Sequence, residues 1–389
     1  MDKYMMNKPK KRIRDFVPTF IFLFFIGIIF ILFLILPKSD YSTQEKRVLS
    51  DFPTATVETV FNGNFGSEFE TYLADQMPLR TFFVGLNSYA NMLLGENGLN
   101  GVYQCSDGYL INTPVQDSDN LDKNIEYINE FAKDIDIPVY MTVVPSTGYI
   151  MKDVLPAVHY LYQDEVILNK VTTQLSSEIQ YMDLSKVFST IVSDRKTQIF
   201  YKTDHHWTAE GAYIAYQELC NKMGLTATSK NDFNIESYGD FFGTTYSKSA
   251  LWLSQPDTIE LWKNKNHTEN QFEVEIIDGG VSEKSNSLFY TEHLEEDDKY
   301  PVYLDGNHSL VKIKNNASHT GQKLLVIKDS FAHSIVPFFA DNYDEIIMVD
   351  MRYYKNEVSV LVEEEKIDSV LVLYGLDNIV NDENLRALM

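Results

Sequence analysis

The sequence predicts an α/β fold, with a largely parallel sheet and helices on both faces, from three observations. From about residue 100, short apolar runs alternate with stretches of helical periodicity. Two of those runs, Pro138–Val144 and Lys323–Lys328, are apolar almost throughout, as buried strands are. The 389 residues are 44% hydrophobic and include 24 Tyr and 24 Phe, enough for a substantial core.

Taken in order, residues 1–15 are basic, with Lys3, Lys8, Lys10, Lys11, Arg12 and Arg14 against Asp2 and Asp15. Phe16–Leu36 then carries no charge. A helix of that length crosses a hydrocarbon core of about 30 Å. The preceding cations predict a cytoplasmic tail at 1–15 and an extracytoplasmic bulk, with 16–36 as a single transmembrane anchor in the cell membrane. A cleaved signal peptide is the rival reading, but Pro37-Lys38-Ser39-Asp40 offers no small-x-small cleavage site. Polar residues 37–60 read as a stalk. From Phe61 to Leu94 the periodicity is helical, broken at Pro78, and Arg80 can bridge to Asp75 or reach a substrate.

Asp107-Gly108, flanked by Tyr103 and by Tyr109-Leu110-Ile111, marks a hairpin. Leu121, Ile125, Ile128 and Phe131 share a helical face, and Val171, Leu175 and Ile179 mark another helix. Gln198–Tyr201 reads as a short strand. Thr208 is placed to cap a helix that runs to Met223 and stops at Gly224. Residues 225–320 are rich in Asn, Ser, Asp and Tyr and read as a β/loop insertion in a domain spanning 61–389. The rhythm resumes with strand Lys323–Lys328, helix Phe331–Ala340, strand Glu345–Val349, helix Asn356–Lys366 and strand Ser369–Leu373.

The net charge of −23 argues against nucleic acid, whose phosphates need clustered Lys and Arg. Cys105 and Cys220 fit no metal or redox spacing, and read as one disulfide or as two separate thiols.

The chemistry gathers at Thr203-Asp204-His205-His206-Trp207-Thr208. In an extended backbone Asp204 and His206 leave on one face and His205 on the other. A carboxylate beside an imidazole is the orienter and base of a nucleophilic triad. Ser330, at a strand end that opens a helix, is the candidate nucleophile. There the unpaired N–H groups can hold an oxyanion, and the same placement also suits a plain helix cap. His333 and Ser334, one turn on, read as lining residues. His205 and His206 have no third and fourth ligand at usable spacing, so no metal is expected. Asp-His-His also marks phosphoesterases that need further Asp motifs lacking in this chain.

The chain resembles the DHHW protein family, relatives of the SGNH-fold O-acetyltransferases that modify bacterial exopolysaccharides. The resemblance spans roughly 42–389. It rests on Asp75–Arg80, Val144-Pro145, Thr203–Thr208, Gly239–Thr244, Gly306-Asn307-His308, Lys328–Phe331 and Asp350–Tyr354. It implies a three-layer α/β/α SGNH-hydrolase-like domain and a triad in the order Asp204, His206, Ser330. It also implies acyl transfer to a cell-surface or secreted polysaccharide through an acyl-serine, no cofactor, and a membrane-bound O-acyltransferase partner as acyl source. Asn307 is the candidate side-chain oxyanion donor. Arg352, Trp207 and Arg80 are candidate substrate contacts. Lys328 stands where ordinary SGNH hydrolases have Gly. A carbohydrate esterase would use the same triad, and a non-catalytic glycan-binding or assembly protein would leave it idle.

Overall fold

The computed structural model describes residues 16–42, 46–194 and 196–388. The basic segment 1–15 lies outside them. The chain divides into two compact units at Asn87/Ser88.

In the first unit, helix α1 (Val17–Ile35) is long and apolar enough to cross a membrane, a test that signal sequences also pass. Where a stalk was expected, the chain pairs β1 (Tyr41–Ser42) with β2 (Arg47–Val48) and forms α2 (Val57–Phe61). Helices α3 (Asn64–Asp75) and α4 (Arg80–Leu93, which crosses the division) flank the break at Pro78. Asp75 is held by the Arg47 guanidinium at 3.0 and 2.5 Å and by the Ser50 N–H at 3.0 Å. That charge-assisted pair draws its carboxyl down to about 2. Arg80 Nε stands 4.0 Å from the same carboxylate.

The second unit begins with the predicted hairpin, β3 (Val102–Gln104) and β4 (Leu110–Asn112), turned by Asp107 and Gly108 at φ 57° and 82°. Then come α5 (Asp119–Asp134), β5 (Val139–Val144), α6 (Thr147–Ile150), α7 (Asp164–Gln174), β6 (Ile179–Asp183) and α8 (Ser185–Val192). Ile179 therefore opens a strand, and the helix expected through it stops at Gln174. Gln198–Tyr201 is no sheet strand either, making only a single bridge, Phe200 to Trp207. Helix α9 (Ala209–Met223) has the expected ends, Thr208 accepting the Gly211 N–H and Gly224 at φ 70°.

Between 225 and 320 the chain forms a separate ribbon of β7 (Phe233–Phe241) and β8 (Asp257–Asn264), with α10 (Thr244–Ser249) between them. The rest of that stretch, β9 (Phe272–Asp278), β10 (Val281–Ser285) and β11 (Leu310–Asn315), joins the main sheet instead of standing apart as an insertion. There follow β12 (Lys323–Lys328), α11 (Ala332–Phe339), β13 (Glu345–Val349), α12 (Val358–Glu365), β14 (Ser369–Gly375) and α13 (Leu376–Asn381). The eight strands lie in the order β10-β9-β11-β13-β12-β14-β5-β6. The pairs from β13 to β6 are parallel, and β11, β9 and β10 add an antiparallel edge.

Strand alternation builds the three layers. Leu324 and Val326 pack with Phe188, Ala212 and Ile335 of α8, α9 and α11. Leu325 and Ile327 point the other way, to Ile125, Ile167, Leu361 and Ile379 of α5, α7, α12 and α13. Cys105 and Cys220 are free thiols, each pushed up to about 12 by burial.

Asp164, at the start of α7, is a buried carboxyl whose Oδ1 accepts both the N–H and the hydroxyl of Ser146, at 2.7 and 2.6 Å. Burial outweighs those bonds and pushes it up to about 6. A raised acid favours the folded state while protonated, so its contribution is lost as pH rises from about 4 through 6, by roughly 3 kcal/mol. Asp164→Asn keeps the acceptor. It is expected to gain stability over wild type at pH 7.5 and almost none at pH 4, read as denaturant midpoints. An equal offset at both pH values would locate the titration elsewhere.

Candidate active site

The Asp204 segment is a turn, because the chain doubles back there. Tyr201 N–H donates to the His206 carbonyl at 3.2 Å, and Thr208 N–H to the Ile199 carbonyl at 2.9 Å. Asp257 of β8 staples the turn, accepting from the Lys202 N–H at 3.0 Å and from the Thr203 N–H and hydroxyl at 2.7 Å each. Asp204 and His206 thus meet through a local bond, the His206 N–H donating to Asp204 Oδ1 at 2.8 Å, and not by sharing a strand face. His205 accordingly does not point away, its ring lying 3.9 Å from that of His206.

Asp204 and His206 are buried, and Ser330 is half-buried at the end of β12. His206 Nδ1 lies 2.5 Å from Asp204 Oδ1, and Nε2 lies 2.7 Å from Ser330 Oγ. The carboxylate can only accept, so the imidazole proton sits on Nδ1 and Nε2 presents its lone pair to the hydroxyl. Thr244 N–H donates to Asp204 Oδ2 at 2.7 Å, filling the second oxygen. Gly243 is required there, since a Cβ would fall 2.1 Å from Asp204 Cβ. Tyr300 stacks on the His206 ring, with centroids 4.0 Å apart and planes 9° apart, and its hydroxyl donates to the Ser330 carbonyl at 3.2 Å. Buried Asp329 ties the Ser330 turn to the end of β14. It accepts from the Phe331 N–H at 2.9 Å, the Gly375 N–H at 2.6 Å and Asn378 Nδ2 at 2.7 Å.

The remaining sequence candidates fall elsewhere. Trp207 is fully buried and donates to Ser334 Oγ at 2.8 Å, so its place is in the core and not against substrate. Ser334 and His333 are buried too and do not line the cavity. Asn307 Oδ1 accepts from Arg352 at 3.0 Å, and Arg352 clamps Asp350 at 2.9 and 2.6 Å. Among the hydrogen bonds of the described residues neither reaches Ser330 or His206. Arg80 belongs to the first unit. Beneath the site, buried Lys328 contacts His333 Nε2 at 2.6 Å and Asp350 at 3.2 Å. Desolvation lowers the pKa of its ammonium, and that of His333 falls far below the usual imidazole value for the same reason.

Asp204, His205 and His206 bring ligand atoms within 4.8 Å of one another. Both nitrogens of His206 and both oxygens of Asp204 already serve hydrogen bonds, to each other, to Ser330 and to the Thr244 N–H, so a cation would dismantle that chain rather than join it. Sequence reasoning missed Thr244, Tyr300 and Asp329 as supports. Thr244 ends the Gly239–Thr244 motif, the one signal that pointed to it.

Beside Asp204, His206 and Ser330, at the C-terminal ends of β5 and β14, lies a cavity of about 240 Å³. Its wall includes His205, Phe331, Thr244, Ser146, Lys248 and Asp377.

Residues 176–349 match the family model described as "DHHW protein". A curated relative, "Probable alginate O-acetylase AlgJ" of Pseudomonas fluorescens, is 27% identical over 195 residues, covering 46% of this chain and 47% of that one. The chain thus spans about half the length of the curated relative it matches. A DHHW family protein from Eubacterium siraeum DSM 15702 superimposes with a TM-score of 0.63 at 23% identity, over 74% of this chain and 95% of that one. PatB1 of Bacillus cereus, bearing a sulfonyl adduct, gives 0.62 at 21%, over 72% and 96%. These two share the fold, an SGNH-like mixed α/β domain. The stretch matched by the family model, 176–349, is the one that holds Asp204, His206 and Ser330 together.

Proposed function

We propose that this protein is an O-acetyltransferase that moves an acetyl group to a hydroxyl of a polysaccharide through acetyl-Ser330. The observation that carries the reading is the continuous line Asp204 Oδ1–His206 Nδ1 (2.5 Å) and His206 Nε2–Ser330 Oγ (2.7 Å). Ser330 Oγ attacks the acyl carbonyl as its proton passes to Nε2, and Asp204 stabilises the imidazolium. The oxyanion is held by the Ser330 N–H, since the Phe331 and Ala332 N–H groups of that turn already donate to Asp329 and that of His333 to the Ser330 carbonyl. As the acyl–donor bond breaks, the leaving group takes the proton from Nε2. An acceptor hydroxyl then attacks acetyl-Ser330, gives its proton to Nε2, and Ser330 leaves reprotonated. The AlgJ likeness supports the reaction class. In this reading α1 anchors the chain in the cell membrane with the second unit outside the cytoplasm, and a membrane-bound O-acyltransferase supplies the acyl group.

The test is intact-mass analysis of the full chain in detergent after exposure to a chromogenic acetyl ester, with peptide mapping of the product. One added acetyl group on Ser330, discharged faster when glycan acceptors are present, is the expected result. An adduct discharged at the same rate with and without acceptor would make the protein an esterase. No adduct from a folded chain, with or without the membrane partner, would retire the catalytic reading in favour of glycan binding.

A further inference from the structure

Resting on that reading, we infer that the cavity beside Ser330 is the acceptor subsite, that it takes one uncharged pyranose unit, and that Asp377 selects against uronates. Position comes first. The cavity wall includes Phe331, next in chain to the nucleophile, and Thr244, which holds both Asp204 (N–H to Oδ2, 2.7 Å) and His205 (Oγ1 to Nδ1, 2.5 Å). A ligand seated there lies against the side of the triad.

Size comes next. At about 240 Å³ the cavity is smaller than the roughly 300–1,000 Å³ of sites for drug-sized ligands, so it suits a single sugar ring, with the rest of a polymer outside. Its wall suits a sugar as well. Asn112, Ser146, Asn378, Lys248 and Asp377 offer donors and acceptors, while Phe331, Ile111 and Leu376 offer apolar surface for a ring face. An acetyl group alone has no use for so many polar partners.

Charge decides the class of sugar. Asp377 lines the cavity, and Asp164 lies behind Ser146, which donates to it twice. Asp329 sits one hydrogen bond behind Asn378 and Gly375. Against these three carboxyls stands Lys248, exposed and 3.5 Å from Asn112 Oδ1. The balance is visible in Asp377 itself. Burial first, and then Asp164 and Asp329, push its carboxyl up to about 6, against the opposing pull of Lys248. A uronate carboxylate brought into this field adds like charge to like charge. The net charge of −23 extends the same repulsion to a polyanionic chain at longer range.

The experiment uses the full chain in detergent carrying Ser330→Ala, which reads binding without turnover. Cellotriose, chitotriose and trimannuronate are titrated calorimetrically at pH 7.5. An uncharged trimer is expected to bind about tenfold or more tighter than trimannuronate. Adding Asp377→Asn is expected to narrow that preference by about tenfold, with the thermal midpoint checked to exclude unfolding. Trimannuronate binding as tightly as the uncharged trimers, a preference unchanged by Asp377→Asn, or no trimer bound would each overturn the inference. An acetyl adduct on Ser330 of the wild-type chain, with no trimer bound by the Ser330→Ala chain, sinks the subsite alone. A bound trimer without an adduct leaves the subsite standing and sinks the transfer reaction.

Discussion

Ser330→Ala and His206→Ala are each expected to lower acetyl transfer on the order of 10³-fold or more, and the double variant no further than either single one. The reason is geometric. Ser330 Oγ and His206 Nε2 are 2.7 Å apart, so the hydroxyl is activated only through that nitrogen, and the acceptor's proton reaches the nitrogen only after Ser330 has been acylated. Without Oγ the base is idle, and without the base Oγ keeps its proton at neutral pH. Both substitutions remove atoms, Ser330 is half-buried, and the turn is held by Asp329 rather than by the hydroxyl. The fold is therefore expected to survive, as near-unchanged circular dichroism would attest. Multiplicative losses in the double variant would mean that the two residues act independently, which a proton passed directly from Oγ to Nε2 forbids.

Gly243→Ala carries the second large effect. Its backbone is extended, φ −93° and ψ −166°, a conformation open to any residue, so no strain of dihedral is involved. The obstacle is contact, with Asp204 Cβ at 2.1 Å and Oδ2 at 2.2 Å from the added methyl. Asp204 must move, and the Thr244 N–H that fills Oδ2 and the imidazole that leans on Oδ1 lose their partner together. Transfer is expected to fall about 10²-fold or more, as a misplaced orienter costs. Overpacking is expected to cost about 1–3 kcal/mol of stability. Gly239→Ala is the control, since nothing lies within 4 Å of its added methyl. Equal kinetics in the two variants would show that Asp204 has room the structure does not give it.

Much of the fold, and the meeting of Asp204, His206 and Ser330, was legible in the sequence. The strands that bury both faces, β5 and β12, announce themselves as apolar runs, and α9 carries its own start and stop in Thr208 and Gly224. Asp204, His206 and Ser330 were legible because their residue types and settings are few. What failed did so where local pattern and tertiary context part. Ile179 continues a helical period, yet it lies beside β5 and is claimed as a strand. β9 and β11 look like ribbons because both are mixed with charges, and only the pairing of β11 with β13 and of β9 with β11 makes them part of the sheet. Trp207 looked available for substrate because its neighbours are catalytic candidates, but a residue beside a tight turn points inward as readily as outward. The cavity could not be foreseen, since its wall draws on β4, α6, α10 and α13, which only the fold brings together.

The bond between His206 and Ser330 joins residues 124 positions apart in the chain. Synthesis runs from the N-terminus, so acid and base are made first and the serine much later, on a strand that sits between β13 and β14. β13 and β14 are themselves made later still. A nascent or truncated chain ending before residue 369 lacks β14 and the Gly375 N–H that braces the serine turn. On the proposed reading, Ser330 is therefore switched on by completion of the sheet, and incomplete copies would carry no activated serine to acylate at random.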